Sequence, residues 1–347
     1  MLISRAGFLR GLAATTATLP LTARATPAEI DSLGAFQVDG KIDGGKPWTA
    51  TPGTGAAPLR FAVIGDNTGV ARPGVFDQAM VQIGWLKPDF ILSVGDLIEG
   101  YTDDKARIAG QWAAIDRSIA KAGVPFFNTP GNHDIDNEET WAAWIERHGT
   151  GYYSFRYKGA LFLILNTEDP VQSLPLKITK QINDMVDLMA KDPDKAEKSM
   201  NDYMDRRNSG AQHDTYAEAE KANISDKQLA WIRDTLARNP NPAWTFVIMH
   251  RPAWKMASPA FAKIQGMLGA RNYTVFAGHT HYFTHEVLDG HDLINMGTTG
   301  GFKTQDGPGT LDHTMLVTLG PQGPSFANLR LKALMDVAGE SGQVRAY

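Results

Sequence analysis

Five short apolar runs, each leading into a residue that can bind a metal, constrain this chain more than any other feature. Arg60 to Gly65 (RFAVIG) runs into Asp66, and Phe90 to Gly95 (FILSVG) runs into Asp96. Val124 to Thr129 is followed by Pro130-Gly131-Asn132-His133, Trp244 to Met249 by His250, and Tyr273 to Ala277 by Gly278-His279-Thr280-His281. Runs this short, continuous and rich in β-formers suit strands buried on both faces. In open α/β sheets, binding groups gather just beyond the carboxyl ends of the strands. Singly the pieces are weak: an Asp after a Gly is often a plain turn residue, and a lone His250 more often belongs to a core. All five together, every one an oxygen or imidazole donor, point to a transition-metal site.

The intervening segments set the fold class. Helical patterns at Gly74 to Leu86, Asp103 to Ala122, Glu138 to His148, Ser225 to Arg238 and Pro259 to Leu268 alternate with the runs, which argues for an α/β architecture. Ser225 and Gln228 resemble a capping box. Tyr152 to Tyr157 and Ala160 to Asn166 read as a hairpin around Gly159. After Tyr282 strands follow one another without helices, at Phe283 to Leu288, His291 to Asn295, His313 to Leu319 and Phe326 to Leu331. The fold class is therefore mixed α/β (α+β), βαβ units with antiparallel additions. Residues 26–58, rich in Gly, Pro, Thr and Ala, read as a linker with one short strand. The folded domain is expected over 59–335 and a tail over 336–347. Residues 170–224 are polar, charged and helix-forming, broken by Pro175 and Pro193. Two readings stay open for them, a cap over the site and a solvated excursion.

Composition excludes some classes. The chain has 347 residues, 43% apolar and 21% charged, with a formal net charge of -4. That balance gives no support for nucleic-acid or anionic-membrane binding. With no cysteine, disulfides, thiolate metal sites and cysteine nucleophiles are ruled out. Residues 1–25 carry Arg5, Arg10 and Arg24 without any acid, a small-residue run from Gly11 to Leu21, and an Ala23-Arg24-Ala25 cleavage pattern. They read as an export signal, so a periplasmic location is expected. Ser4 to Arg10 resembles a twin-arginine signal in which Ala6 replaces the second arginine. No stretch has the length and apolarity of a membrane span.

Gly65-Asp66, Gly95-Asp96, Gly131-Asn132-His133-Asp134, Met249-His250 and Gly278-His279-Thr280-His281 together resemble the successive blocks of the calcineurin-like metallophosphoesterase superfamily. The resemblance covers roughly residues 59–300, interrupted by the 170–224 insert. It implies a β-sandwich of mixed sheets flanked by helices, in four layers. It also implies hydrolysis of a small-molecule phosphate ester, a monoester or a diester, with two divalent or trivalent transition-metal ions (Mn, Fe or Zn) as cofactors. By the same resemblance Asp96 bridges the metals, Asp66 and His281 complete one site, and Asn132, His250 and His279 complete the other. His133 donates to the leaving oxygen and Asp134 orients His133. Two metals about 4 Å apart can clamp a phosphoryl oxygen and acidify the attacking water, while charge on the transferring group is stabilised electrostatically.

One departure matters. The first block reads Asp66-Asn67-Thr68, with Thr68 where the family has a histidine ligand. A threonine hydroxyl is a poor transition-metal ligand. The first metal then keeps fewer protein donors, is held weakly, or gains a substitute such as Glu99. Glu99 occupies the position where purple acid phosphatases carry a tyrosine ligand, which argues against that subgroup. Asn67, Arg72, Tyr101 and Arg251 lie in the block loops and are candidate substrate contacts, although an arginine there is as readily explained by a neighbouring acid. The Gly297-Thr298-Thr299-Gly300-Gly301 turn could approach the site, but it matches no phosphate-cradling motif. The alternative to an esterase is a binding protein on the same scaffold, weakened by Thr68.

Overall fold

The computed structural model describes residues 34–208, 221–256, 258–338 and 340–341. The expected export signal, residues 1–25, lies outside them. Strand β1 (Gln37–Val38) is followed by β2 (Arg60–Ile64), helix α1 (Val75–Leu86), β3 (Phe90–Ser93), α2 (Lys105–Ala120), β4 (Phe126–Phe127) and α3 (Glu138–His148). Next come β5 (Tyr153–Tyr157), β6 (Ala160–Ile164), α4 (Leu176–Lys191), α5 (Pro193–Asn208), α6 (Asp226–Arg238), β7 (Trp244–Ile248), α7 (Pro259–Leu268) and β8 (Tyr273–Ala277). The described part closes with β9 (Thr284–Leu288), β10 (His291–Asn295), β11 (His313–Gly320) and β12 (Gly323–Arg330).

The strands form two mixed sheets, ordered β1-β5-β6-β7-β8-β10-β9 and β12-β11-β2-β3-β4. In the smaller sheet β2, β3 and β4 are parallel, and in the larger β6, β7, β8 and β10 are parallel. Within each sheet the carboxyl ends of the parallel strands therefore share one edge. The period-2 alternation of side chains explains why both faces are covered. Phe61 and Val63 of β2 face the other sheet, where they join Phe90, Phe155, Phe162, Phe246 and Phe276 in one core. Ala62 and Ile64 face the other way and pack under α1, α2 and α3 with Ile91 and Phe126. Leu161, Leu163, Val247, Val275 and Leu293 of the larger sheet pack under α6 and α7. The result is a four-layer helix, sheet, sheet, helix fold, as expected.

Local chemistry sets the joints. Lys158 and Gly159 both have positive φ (46° and 79°), which the two-residue hairpin between β5 and β6 requires. Asp104 caps α2 by accepting from the Ala106 and Arg107 N–H groups. Asn137 and Thr140 form a complete capping box on α3. At α6 the box is half made. Ser225 accepts from the Gln228 N–H at 3.1 Å, but the fully buried Gln228 side chain turns instead to the Asn166 backbone. A buried amide satisfied by two backbone groups outweighs an exposed cap bond.

Residues 34–58 are more than a linker. Phe36, Ile42 and Trp48 pack against the inter-sheet core, β1 pairs with β5, and Trp48 bridges to Phe127. Among the described residues no helix is long and apolar enough to cross a membrane. Phe246 stands at the centre of the sandwich, its ring centroid 4.9 Å from that of Phe61 and 5.2 Å from that of Phe162. We expect Phe246→Ala to cost about 3–5 kcal/mol by loss of burial plus a residual cavity. Urea unfolding would measure this, and a cost near zero would contradict the packing described.

Candidate metal centre

Each proposed ligand follows the carboxyl end of a parallel strand: Asp66 follows β2, Asp96 β3, Asn132 β4, His250 β7, and His279 with His281 β8. Because the two sheets present these edges together, residues up to 215 positions apart in sequence converge. His250 Nε2 lies 3.1 Å from Asp96 Oδ2, 3.0 Å from Asn132 Oδ1 and 3.2 Å from His279 Nδ1. His281 Nε2 lies 3.3 Å from Asp66 Oδ2. Asp96, His250 and His279 by themselves form a group whose ligand atoms fall within 4.8 Å of one another, a geometry able to hold a metal ion.

Hydrogen bonds outside the cluster aim these donors inward. The His250 Nδ1–H donates to the Val94 carbonyl at 2.9 Å, and His281 Nδ1 is engaged by the Phe302 carbonyl. Both rings thus turn Nε2 to the site, the orienting role that partners beyond the ligands play in metal centres. Asn132 donates through Nδ2 to the Tyr101 hydroxyl at 2.8 Å, which leaves Oδ1 facing His250. The donor set fits a cation. His250 has one hydrogen at most on Nε2, yet three basic atoms lie within 3.2 Å of it. Burial alone would depress the His250 imidazole, but the Asp96 carboxylate raises it to about 9. Asp96 is held low despite its own burial by His250 and His133. The pocket is therefore built for positive charge.

Backbone strain marks the same residues. Asp96, His279 and His281 have φ of 57°, 70° and 55°, and Val70 and Tyr101 beside them have 66° and 48°. Non-glycine residues rarely adopt this region, at a cost on the order of 1–3 kcal/mol each, and it clusters at functional sites. Two glycines are required by close approach. A Cβ on Gly278 would overlap Asp66 Oδ1, and one on Gly131 would overlap Asp96 Oδ1. The His279 N–H donates to both Asp66 oxygens, at 3.1 and 2.9 Å, so ligand and loop are locked as one unit.

Several expectations are corrected. The Asp134 carboxylate is taken up by backbone amides and not by the His133 ring. Its Oδ2 accepts from the Asp96 and Gly131 N–H groups (2.8 and 3.0 Å), and its Oδ1 accepts from Leu97 and Ile98 (2.9 and 3.1 Å). Burial and then the Asp96 charge push Asp134 up to about 7, against the pull of these backbone bonds. His133 is oriented by a main-chain group instead: its Nδ1–H donates to the Glu99 carbonyl at 2.8 Å. The Glu99 carboxylate accepts from the Val70 and Ala71 N–H groups at 3.1 and 2.6 Å, and it stands outside the Asp96, His250 and His279 donor group. Asn67 is buried and donates to the Leu97 carbonyl at 2.8 Å. Arg72 forms a forked pair with Asp312 and donates to the Gly301 carbonyl. Neither lines the cavity that opens over the site. The buried Thr68 hydroxyl has no hydrogen-bond partner among the described residues.

Tyr101 and Arg251 do reach the site. Both line a cavity of about 910 Å³ that opens over Asp96, Asn132, His133, His279 and His281. Burial, then the Asp96 charge, keeps the Tyr101 phenol neutral by raising its pKa, and its ring meets His133 edge-on at 4.6 Å. Arg251 is paired with the buried Glu168 and also lies 3.1 Å from His279 Nε2. Glu168, just beyond β6, escaped the sequence reading. The signal was present, an acid shortly after an apolar run whose neighbouring strand ends in His250-Arg251. The 297–301 turn braces Asp66: the Thr299 and Gly301 N–H groups donate to its carbonyl at 2.9 and 3.1 Å. Of the expected 170–224 insert, the described helices α4 and α5 line the cavity and pack on Val70 and Phe302.

A family model described as calcineurin-like phosphoesterase matches residues 59–283, and the chain belongs to that family. Among curated proteins, the serine/threonine-protein phosphatase CPPED1 of Homo sapiens is 35% identical over 106 residues, covering 26% of this chain and 31% of the relative. The same-named protein of Rattus norvegicus is 30% identical over 115 residues, covering 31% and 36%. The chain thus spans about a third of the length of these relatives. Two solved structures are similar in fold. A dimetal phosphatase from Danio rerio has 12% identity and a TM-score of 0.46, over 79% of this chain and 99% of that one. A purple acid phosphatase from yellow lupin (Lupinus luteus) seeds has 13% identity and a TM-score of 0.48, over 79% of this chain and 52% of that one.

Two expected outcomes follow from the geometry. Gly278→Ala should displace Asp66 and weaken metal binding by about 10–100-fold, read by equilibrium dialysis with Mn²⁺; unchanged affinity would contradict the close approach. For Asp312, burial alone would raise the carboxyl, but Arg72 and then Lys303 pull it from 3.8 to about 2. A depressed carboxyl stabilises the fold above its unfolded pKa, and that contribution is lost as pH falls through the folded value. The stability gap between wild type and Asp312→Asn should therefore shrink as unfolding is measured from pH 5 down to pH 2, and a constant gap would contradict the pairing.

Proposed function

We propose that this protein hydrolyses phosphate esters at a two-metal centre formed by Asp66, Asp96, Asn132, His250, His279 and His281, with His133 assisting the leaving group. One observation carries the reading: three basic atoms, from Asp96, Asn132 and His279, crowd within 3.2 Å of His250 Nε2, beside the Asp66–His281 pair. Membership in the calcineurin-like phosphoesterase family supports it. Oxygen and imidazole donors suit Mn, Fe or Zn. Bound there, such ions supply Lewis acidity toward a phosphoryl oxygen and lower the pKa of a water.

The chain's own residues supply the rest. Asp96, shared between the two donor sets, positions both. The Glu99 carbonyl fixes the His133 ring with Nε2 toward the cavity, 4.0 Å from Asp96 Oδ2. In the reaction a water gives up one proton to solvent, its oxygen bonds to phosphorus in line and the ester P–O bond breaks. The electron pair goes to the departing alcohol oxygen, which takes its proton from His133 Nε2. Arg251, held by Glu168, offers a fixed guanidinium at the cavity wall for a non-bridging phosphoryl oxygen. A second reading, a metal or phosphate-ester binding protein, draws on the bare hydroxyl at Thr68.

The test is hydrolysis of an aryl phosphomonoester and an aryl phosphodiester with added Mn²⁺ and with chelator. Chelator-sensitive turnover is expected, and the faster ester identifies the class. His133→Ala should lose about 10²–10⁴-fold in kcat while metal content persists, and Asp96→Asn should lose both activity and metal. Activity retained in Asp96→Asn would sink the proposal. Metal and ester binding without turnover would favour the second reading.

A further inference from the structure

The cavity over the metal centre has two unlike halves. Its floor is polar, made of the strand-end residues Asp96, Asn132, His133, Arg251, His279 and His281. Its roof is apolar. Ile178, Ile182 and Met185 of α4, Met200 and Met204 of α5, and Phe302 all line it. Ile178, Ile182 and Met185 fall at i, i+4 and i+7, one stripe of one helix face. Met189, one turn on, is buried in the cluster that fastens the hairpin to Val70 and Phe302. Ile178 and Ile182 take no part in that cluster, are half-buried and line the cavity.

The hairpin is held over the site by polar tethers. Asn183 donates to the Tyr101 carbonyl at 2.8 Å, and Arg107 pairs with Asp187 at 3.2 Å. An apolar stripe facing a polar site is costly in water unless a ligand covers it. The volume, about 910 Å³, lies near the top of the range for small-molecule pockets, about 300–1,000 Å³. A phosphoryl group at the floor leaves most of that space for what it is attached to. Among the described side chains lining the cavity, Arg251 is the one arginine or lysine, and Glu168 already neutralises it. A leaving group carrying further phosphates would find no free counter-charge among them.

We infer that the substrate is a phosphate ester with a single phosphate group and a large apolar alcohol or phenol, its hydrocarbon held against Ile178, Ile182 and the α4–α5 methionines. Methionine-lined walls accept varied hydrocarbon shapes, so the preference is for apolar bulk more than for one skeleton. This rests on the esterase reading above, and the test separates the two. Straight-chain alkyl esters from ethyl to octyl, of whichever class the aryl substrates identify, leave alcohols of similar acidity, so chain length reads burial and not chemistry.

Wild-type kcat/KM should rise at least about tenfold from ethyl to octyl. Octylphosphonate, which has no ester bond to break, should bind at least about tenfold more tightly than ethylphosphonate by calorimetry on the metal-loaded protein. In the Ile178→Asn, Ile182→Asn double variant the octyl-to-ethyl ratio should fall toward one in both assays. Turnover with a flat ratio in wild type would overturn this inference and leave the esterase reading intact. Absent turnover with tight octylphosphonate binding would overturn the esterase reading and uphold the ligand class. A ratio unchanged in the double variant would mean nonspecific adsorption and overturn the inference.

Discussion

Four backbone N–H groups converge on one buried carboxylate, that of Asp134, and the metal centre depends on it. Two of them, from Asp96 and Gly131, belong to the loops after β3 and β4, and the other two, from Leu97 and Ile98, continue the first loop. The carboxylate fastens two ligand-bearing loops into one rigid body, with Asp96 held at φ 57°. A buried carboxylate accepting several N–H bonds is a strong, directional clamp. It also lies close to the Asp96 carboxylate, and like charges out of water call for a cation nearby. Clamp and metal site are thus two parts of one electrostatic arrangement.

The sheets supply what the clamp cannot. Parallel strands give carboxyl ends a common edge, and stacking two sheets through Phe61, Phe90, Phe162 and Phe246 brings two such edges together. Helices on both outer faces follow from apolar residues on both sides of every central strand. The strain at His279 and His281 is tolerated because their surroundings leave no alternative. His279 is tied to Asp66, and His281 is wedged between Gly69 and Gly301, where a Cβ would come within 2.6 and 2.8 Å of its ring.

Much of this was legible in the sequence. The strands that bear ligands, the hairpin at Gly159 and the helical insert follow from local periodicity and turn chemistry, which act over a few residues. In the segment read as a linker with one short strand (26–58), the packing of Phe36 and Trp48 was not legible, because they gain their contacts from β4 and β5, far away in the chain. The acid partners of two arginines were out of reach for the same reason. Arg72 pairs with Asp312 and Arg251 with Glu168, across 240 and 83 positions. Asp134 was expected to serve its neighbour His133, yet a tight loop turned it toward backbone amides. Sequence adjacency says little about side-chain direction where φ turns positive.

The proposed function requires six strand-end residues to hold two metals bridged by Asp96, although a threonine stands at position 68. Anomalous diffraction from crystals grown with Mn²⁺ tests it most directly. Two peaks are expected about 4 Å apart, one bonded by Asp96, Asn132, His250 and His279, the other by Asp96, Asp66 and His281. No peak at Asp96, or a single peak with Asp66 and His281 bonded to nothing, would contradict it.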